Sequence, residues 1–198
     1  VNLNGSISNK NTTGAQGVLI DTGTNTTPVT LTGDFLAIST APTTIDLSGS
    51  GTGKTGIGIT GNGTLTGTFN FNSGTIAVQG NSSTGIGMSP DTTLNGDFTF
   101  DGTIVMTPTT ANDTSAATGI TGIALGGDVT GDVNLGGQIQ IYGNGSRGFV
   151  STGTITGSFV NGGLIGTEGF QTSQNQSTGA TTVPKGTGDP LGGSAVSI

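Results

Sequence analysis

Three aspartates follow a glycine inside the same short phrase: Gly33-Asp34, Gly96-Asp97 and Gly131-Asp132. Carboxylates repeated at one structural position, a strand spacing of about 5 Å apart, have two chemistries open to them. They can ligate Ca2+, or they can serve as an acid pair in glycoside hydrolysis. The same position also carries Thr68 and Ser158, which serve neither purpose. A solvated turn aspartate explains Asp34, Asp97 and Asp132 better. The Gly-Gly-x-Gly-x-Asp nonapeptide of Ca2+-binding rolls is absent. The chain has no Cys and no His, which removes thiolate metal sites, disulfides and imidazole general bases. Its one Arg, Arg147, follows Ser146 in what the pattern makes an exposed turn between repeats. Matches such as Gly56-x-Gly58 follow from composition and carry no weight alone. No nucleophile–base arrangement, phosphate loop or metal cluster is visible. The expectation is a chain with no catalytic residue, no cofactor-binding residue, no metal ligand and no cofactor: not an enzyme.

The elements that carry these aspartates form a repeat. Thr93-Leu94-Asn95-Gly96-Asp97-Phe98 recurs as Thr30-Leu31-Thr32-Gly33-Asp34-Phe35, Thr64-Leu65-Thr66-Gly67-Thr68-Phe69, Asp128-Val129-Thr130-Gly131-Asp132-Val133 and Thr154-Ile155-Thr156-Gly157-Ser158-Phe159. Its central glycines are 34, 29, 35 and 26 residues apart, a period that signals a solenoid or array. Each repeat reads as three short strands of alternating apolar and polar residues. The first is a Gly-apolar segment such as Gly56-Ile57-Gly58-Ile59, Gly85-Ile86-Gly87-Met88 or Gly148-Phe149-Val150. The second is the Thr-Leu-Thr phrase, running through its Gly into Phe-x-Phe or Val-x-Leu. The third is Ile45-Asp46-Leu47, Ile76-Ala77-Val78, Ile104-Val105-Met106 or Ile139-Gln140-Ile141.

Asn-Gly and Asp-Gly pairs such as Asn95-Gly96 and Asp101-Gly102 also suit hairpins. Short strands and like residues one repeat apart favour stacking in parallel instead. The pattern predicts an all-β chain: a single parallel β-helix of about six rungs, three strands per rung. Residues 31, 65, 94, 129 and 155 are expected to form one interior ladder, residues 35, 69, 98, 133 and 159 a second, and residues 45, 76, 104, 139 and 165 a third. Rungs are expected over 1–170, with insertions at 21–28, 39–43 and 107–117. A flexible loop is expected at 171–191, and the start of a further rung at 192–198. Val1-Asn2-Leu3 aligns with Val133-Asn134-Leu135, so the chain is expected to open in mid-repeat, as an excised piece. Val1 opens no signal peptide.

Composition fits that architecture. Of 198 residues, 40 are Gly and 39 Thr, while 8% are charged; ordinary chains carry about 7% Gly and about 25% charge. Thr and Val suit a pleated surface, and strong helix formers are scarce. The net charge is −7 and only Lys10, Lys54, Arg147 and Lys185 are basic. Four basic residues cannot supply the phosphate-neutralising stripe of a nucleic-acid binder, and no apolar run approaches the ~20 residues of a membrane-spanning helix. The Thr-x-Thr triplets at Thr30/Thr32, Thr64/Thr66 and Thr154/Thr156 raise ice binding, but Asn95 and Asp128 interrupt the series, and ordinary strand threonine is the simpler reading. Tyr142 and Phe170 are lone aromatics that could touch a sugar; packing explains them equally well.

The phrases Gly-Asn-Ser-Ser-Thr-Gly-Ile (80–86), Gly-Asn-Gly-Ser-Arg-Gly-Phe (143–149), Leu-Asn-Gly-Asp-Phe (94–98) and Val-Thr-Gly-Asp-Val-Asn-Leu-Gly-Gly (129–137) resemble the passenger repeats of type V autotransporters, particularly the large Gly/Thr-rich ones of alphaproteobacteria. Pro-Leu-Gly-Gly-Ser-Ala-Val-Ser-Ile (190–198) is similar to the point where such passengers resume after an insertion. The resemblance implies a right-handed β-helix at the surface of a Gram-negative bacterium, held to the outer membrane by a part outside this chain. It implies a structural or adhesive rod whose partner is a host surface, an abiotic surface or a polysaccharide. It carries over no functional residue. Two other readings compete. One is a carbohydrate-active enzyme on the same fold, disfavoured by the missing His and scarce bases. The other is a fibre subunit associating end to end through its open strand edges.

Overall fold

The computed structural model describes residues 1–24, 26–37, 43–109, 118–168 and 194–197. The insertion expected at 39–43 lies outside them except for Thr43, and the loop expected at 171–191 lies outside them entirely, as does Phe170. Within them there is no helix. The chain visits four stacks of short parallel strands in the same order on each pass. The first sheet holds Gln16–Asp21, Thr55–Thr60, Thr84–Met88, Thr121–Leu125, Arg147–Ser151 and Ser194–Ser197. The second holds Thr30–Thr32, Thr64–Thr66, Thr93–Asn95 and Asp128–Val129, and an isolated bridge from Val129 to Ile155 extends it by one pass. The third holds Phe35–Ala37, Phe69–Phe71, Phe98–Phe100, Val133–Leu135 and Phe159–Asn161. The fourth holds Ser6–Ser8, Thr43–Leu47, Gly74–Gln79, Thr103–Thr107, Gln138–Tyr142 and Leu164–Glu168.

Each pass thus carries four strands, where the alternation of residues suggested three. The division falls at the glycine of the repeated phrase. Gly33, Gly67 and Gly96 take φ of 136°, 140° and 154°, backbone that an L side chain rarely adopts and glycine adopts freely. The turn they make separates Thr-Leu-Thr from Phe-x-Phe and sends the two halves into different sheets. Alternation cannot reveal such a corner, because the apolar residues on both sides of it still point inward.

The register follows the repeat. Leu31, Leu65, Leu94, Val129 and Ile155 stand opposite one another in turn. So do Phe35, Phe69, Phe98, Val133 and Phe159, and Ile45, Ile76, Ile104, Ile139 and Ile165. Ile57, Ile86, Ile123 and Phe149 form the matching ladder of the first sheet. A one-residue slip would turn every one of these side chains to solvent, so the apolar pattern fixes the register. The four ladders meet in one core. Phe35, Phe69 and Phe98 stack with centroids 4.8 Å apart and ring planes turned by 7° and 4°, and Phe71 stacks on Phe100 at 5.8 Å.

Other expectations shift at their edges. Asn2 bridges Leu36 and Ile7 pairs with Ile45, so the first residues occupy the third and fourth sheets, as their alignment with Val133-Asn134-Leu135 required. Ser194–Ser197 pairs with Arg147–Ser151 and begins a further pass. Part of the 21–28 insertion is a small antiparallel hairpin, Gly23–Thr24 against Thr27–Pro28. Thr43 and Thr107, placed by the sequence in insertions, belong to strands; both continue the polar–apolar alternation of the ladder beside them. The segment 110–117 lies outside the described residues.

Candidate functional site

The aspartates were the first candidates for chemistry, and their surroundings give them another task. All three are exposed at the corner after the repeat glycine. The Thr68 N–H donates to Asp34 Oδ1 at 2.8 Å, the Asp132 N–H to Asp97 Oδ1 at 2.9 Å, and the Ser158 N–H to Asp132 Oδ1 at 2.7 Å. Asp128 makes the same contact one corner earlier, accepting from the Thr154 N–H at 2.8 Å. In every case a carboxylate on one pass holds a backbone N–H on the next. Threonine or serine at this position gives up that contact and leaves the fold's main-chain ladder intact, which accounts for Thr68 and Ser158 in the series. Among the described residues no group of three or more His, Cys, Asp or Glu is placed to hold a metal ion.

No protein-family model, no curated protein and no solved structure matches the chain.

The titratable group that sequence reasoning passed over is Lys54. Its side chain is fully buried, and its Nζ donates to the carbonyls of Leu47 (2.9 Å), Gly49 (2.9 Å) and Ser48 (3.4 Å). These carbonyls leave the end of the Thr43–Leu47 strand, where Ser48 O also accepts from the Asn11 N–H at 3.3 Å, and a buried carbonyl without a donor is costly. Burial pushes the Lys54 amine below its ordinary value, with the charge of Asp46 opposing the shift. Asp46 in turn is paired with Lys10 at 2.7 Å and accepts from the Ser48 N–H at 3.0 Å. Those bonds, the Lys10 one foremost, hold its carboxyl at about 2. The signal was present in the repeat: Lys54 stands where other passes carry Ala15, Ser83, Ile120 and Ser146, all buried. A lone lysine in a column of small or apolar residues must find acceptors inside. Its amine faces three carbonyls, a geometry that caps a strand end and activates no nucleophile.

Arg147 is exposed as expected but opens the strand Arg147–Ser151 beside Thr121, rather than sitting in a turn. The backbone ladder claims it because Ile120 O accepts from its N–H at 2.9 Å. The repeated Gly-Ile of the first sheet also has a physical cause that its composition concealed. A Cβ on Gly85 would lie 2.5 Å from the carbonyl oxygen of Gly122 and 3.1 Å from Cγ2 of Ile104. Gly17, Gly56 and Gly122 are hemmed in the same way by the next pass's glycine carbonyl and by an isoleucine of the fourth sheet. At this column of glycines the backbone of the first sheet lies directly against isoleucine side chains of the fourth.

One concavity lies at the end of the stack where the first passes leave the core uncovered. It encloses about 240 Å³ and is walled by Val1, Ile20, Leu31, Phe35 and Leu65, with Asp34 at its margin. The lining is apolar and offers no set of converging polar groups.

Proposed function

We propose that the chain is a right-handed parallel β-helix that serves as a non-catalytic structural or adhesive rod at a bacterial cell surface, part of the passenger of an autotransporter. The observation that carries the reading is the in-register stacking of four parallel sheets over one shared core. Such a stack uses its repeated geometry for length and stiffness. The candidate carboxylates tie successive passes together, which supports a scaffold role for them over catalysis. Binding is then a property of outer faces and loops, with a host surface, an abiotic surface or a polysaccharide as partner and anchorage through a part outside this chain. The test is display of the chain on bacteria through a translocator barrel, with adhesion to cell monolayers, plastic and immobilised polysaccharides measured against bacteria displaying the barrel alone. Gain of adhesion to any of these surfaces is expected. No gain on any surface, or release of reducing sugar from a polysaccharide by the purified chain, overturns the reading in favour of an inert spacer or an enzyme.

The apolar cavity at the open end favours a second reading, a subunit that associates end to end. The exposed Val160 and Leu164 near the opposite end supply apolar surface for such a contact. Sedimentation of the purified chain over a range of concentrations decides it: growing particles support association, and a constant monomer excludes it.

A further inference from the structure

The two ends of the stack are not level. At the end that holds the first pass, the third and fourth sheets run one strand further than the other two. Asn2 bridges Leu36 there and Ser6–Ser8 pairs with Thr43–Leu47, whereas Gln16–Asp21 and Thr30–Thr32 are edge strands with no described strand beyond them. At the opposite end it is the first sheet that runs one strand further. Ser194–Ser197 pairs with Arg147–Ser151, and no described strand lies beyond Ile155, Phe159–Asn161 or Leu164–Glu168. The strands at both ends run parallel to their inner neighbours.

The large apolar side chains left exposed gather at these same ends. Among the described residues they are Val1, Leu19 and Val29 in or beside the strands of the first end, and Val160, Leu164 and Val196 on the strands of the last. The passes between, from Thr55–Thr60 to Gln138–Tyr142, expose none. The concavity walled by Val1, Ile20, Leu31, Phe35 and Leu65 opens at the first end as well. Unpaired strand edges bordered by apolar side chains are a template for further strands, and here both features fall on the ends and neither on the sides.

We propose that the two ends join head to tail: the last strands of one copy pair in parallel with the first strands of a second copy, in the register of the internal ladder. This rests on the end-to-end association described above and adds its polarity and register. The steps are complementary. In the third and fourth sheets the first copy stops short and the second begins early; in the first sheet the first copy runs long and the second begins late. Continuing each column by one strand lays the second copy's Ile7 on Ile165, its Asn2 on Val160 and its Val18 on Val196. Ile7 and Ile165 are both half-buried against the core and would cover each other. The second sheet alone is one strand short at the joint, between Ile155 and the second copy's Leu31, beside the concavity. Joining first end to first end would set the facing strands antiparallel and bring unlike columns together.

The chain has no Cys, so cysteines placed at the ends report the joint without background. Ser6 and Leu164 stand in one column of the fourth sheet, with Thr44, Thr75, Thr103 and Gln138 between them. Within one copy they are five strand spacings apart, about 24 Å, too far for a disulfide. Across the joint they are one spacing apart, about 4.8 Å, inside the range a disulfide spans. Ser6→Cys and Leu164→Cys are purified separately, shown to fold by circular dichroism, mixed in a thiol–disulfide buffer and separated without reductant. The mixture is expected to yield a dimer linked from residue 6 to residue 164, identified by mass spectrometry of its peptides, and neither variant alone a dimer. Ser8→Cys, two residues out of register and about 8 Å from the Leu164 position across the joint, is expected to lose most of that yield. Should Leu164→Cys fail to fold, Gly166→Cys against Ser8→Cys tests the same register. Growing particles of the parent chain without the 6–164 linkage, or equal linkage from residues 6 and 8, overturn the head-to-tail register and leave end-to-end association standing. A parent chain that stays monomeric, with no dimer in the mixture, overturns both.

Discussion

Replacing Gly85 by alanine tests the packing argument most directly, because two physical effects predict opposite signs. If only the unfolded chain mattered, Gly→Ala would stabilise the protein by about 0.4–1 kcal/mol through lost backbone freedom. In the folded protein the new methyl would stand 2.5 Å from the Gly122 carbonyl oxygen and 3.1 Å from Ile104 Cγ2. Neither neighbour can retreat freely. Gly122 lies in a strand paired on both sides, and Ile104 is fully buried in the fourth sheet. Overpacking of this kind costs about 1–3 kcal/mol, so net destabilisation of roughly 1–2 kcal/mol is expected once the entropic gain is offset. Gly87, two residues along the same strand, is the internal control. A Cβ there meets nothing closer than Thr84 Cγ2 at 3.4 Å, and the residue opposite on the next pass is already Ala124. Gly87→Ala is expected to be neutral or up to about 1 kcal/mol more stable. Equilibrium urea unfolding followed by circular dichroism measures both, with the slope of the transition compared as well as its midpoint. A Gly85→Ala midpoint equal to or above that of Gly87→Ala would refute the close-approach argument.

Two further outcomes are expected. Phe98→Ala empties a fully buried site and breaks the stack with Phe69. It should cost about 3–5 kcal/mol, read as a lower urea midpoint, whereas Asn134→Ala on the outer side of the same sheet should change it little. Stability should also depend on pH at both extremes. Asp46 sits at about 2 in the folded chain against 3.8 when free, so its contribution is present above pH 3.8 and lost as pH falls toward 2. Lys10 is half exposed, so screening holds that contribution to about 1 kcal/mol, and Lys10→Met should flatten the acid limb. The Lys54 amine is lowered on folding, so the unfolded chain holds the extra proton and stability rises as pH approaches 10.5. Lys54→Met should abolish that rise and lower stability at pH 7, because the carbonyls of Leu47, Ser48 and Gly49 lose the Lys54 amine.

Most of the fold was legible because the repeat lays like residues on like. Once Leu31, Leu65 and Leu94 are aligned, the parallel register of the whole second sheet follows, and even Asn2 falls opposite its proper partner. The fourth strand was hidden because its boundary is a change of direction at Gly33, Gly67 and Gly96, and direction leaves no mark on polarity. Lys54 was hidden for a different reason. The repeat puts it in the buried column of Ala15, Ser83 and Ser146, but which strand-end carbonyls lie within reach of its amine no spacing reports. The carboxylates at Asp34, Asp97 and Asp132 were read as turn residues, and they do lie exposed at a corner, but the contact each makes there, accepting an N–H across passes, emerges only from the three-dimensional structure. The glycine column at Gly17, Gly56, Gly85 and Gly122 was discounted because glycine is common throughout the chain, and abundance masks the positions at which it is compulsory.

The carboxylate contacts at the corners have a direction. Asp34, Asp97, Asp128 and Asp132 each reach from an earlier pass to a later one, and none of these bonds runs the other way. A stack lengthening toward the C-terminus therefore receives each new pass against an acceptor already fixed in place. A stack lengthening toward the N-terminus must instead capture a carboxylate carried by the still unordered incoming segment. The two growth fronts of this polymer-like assembly are chemically unlike, and a chain that emerges N-terminus first always extends the front that is prepared for it.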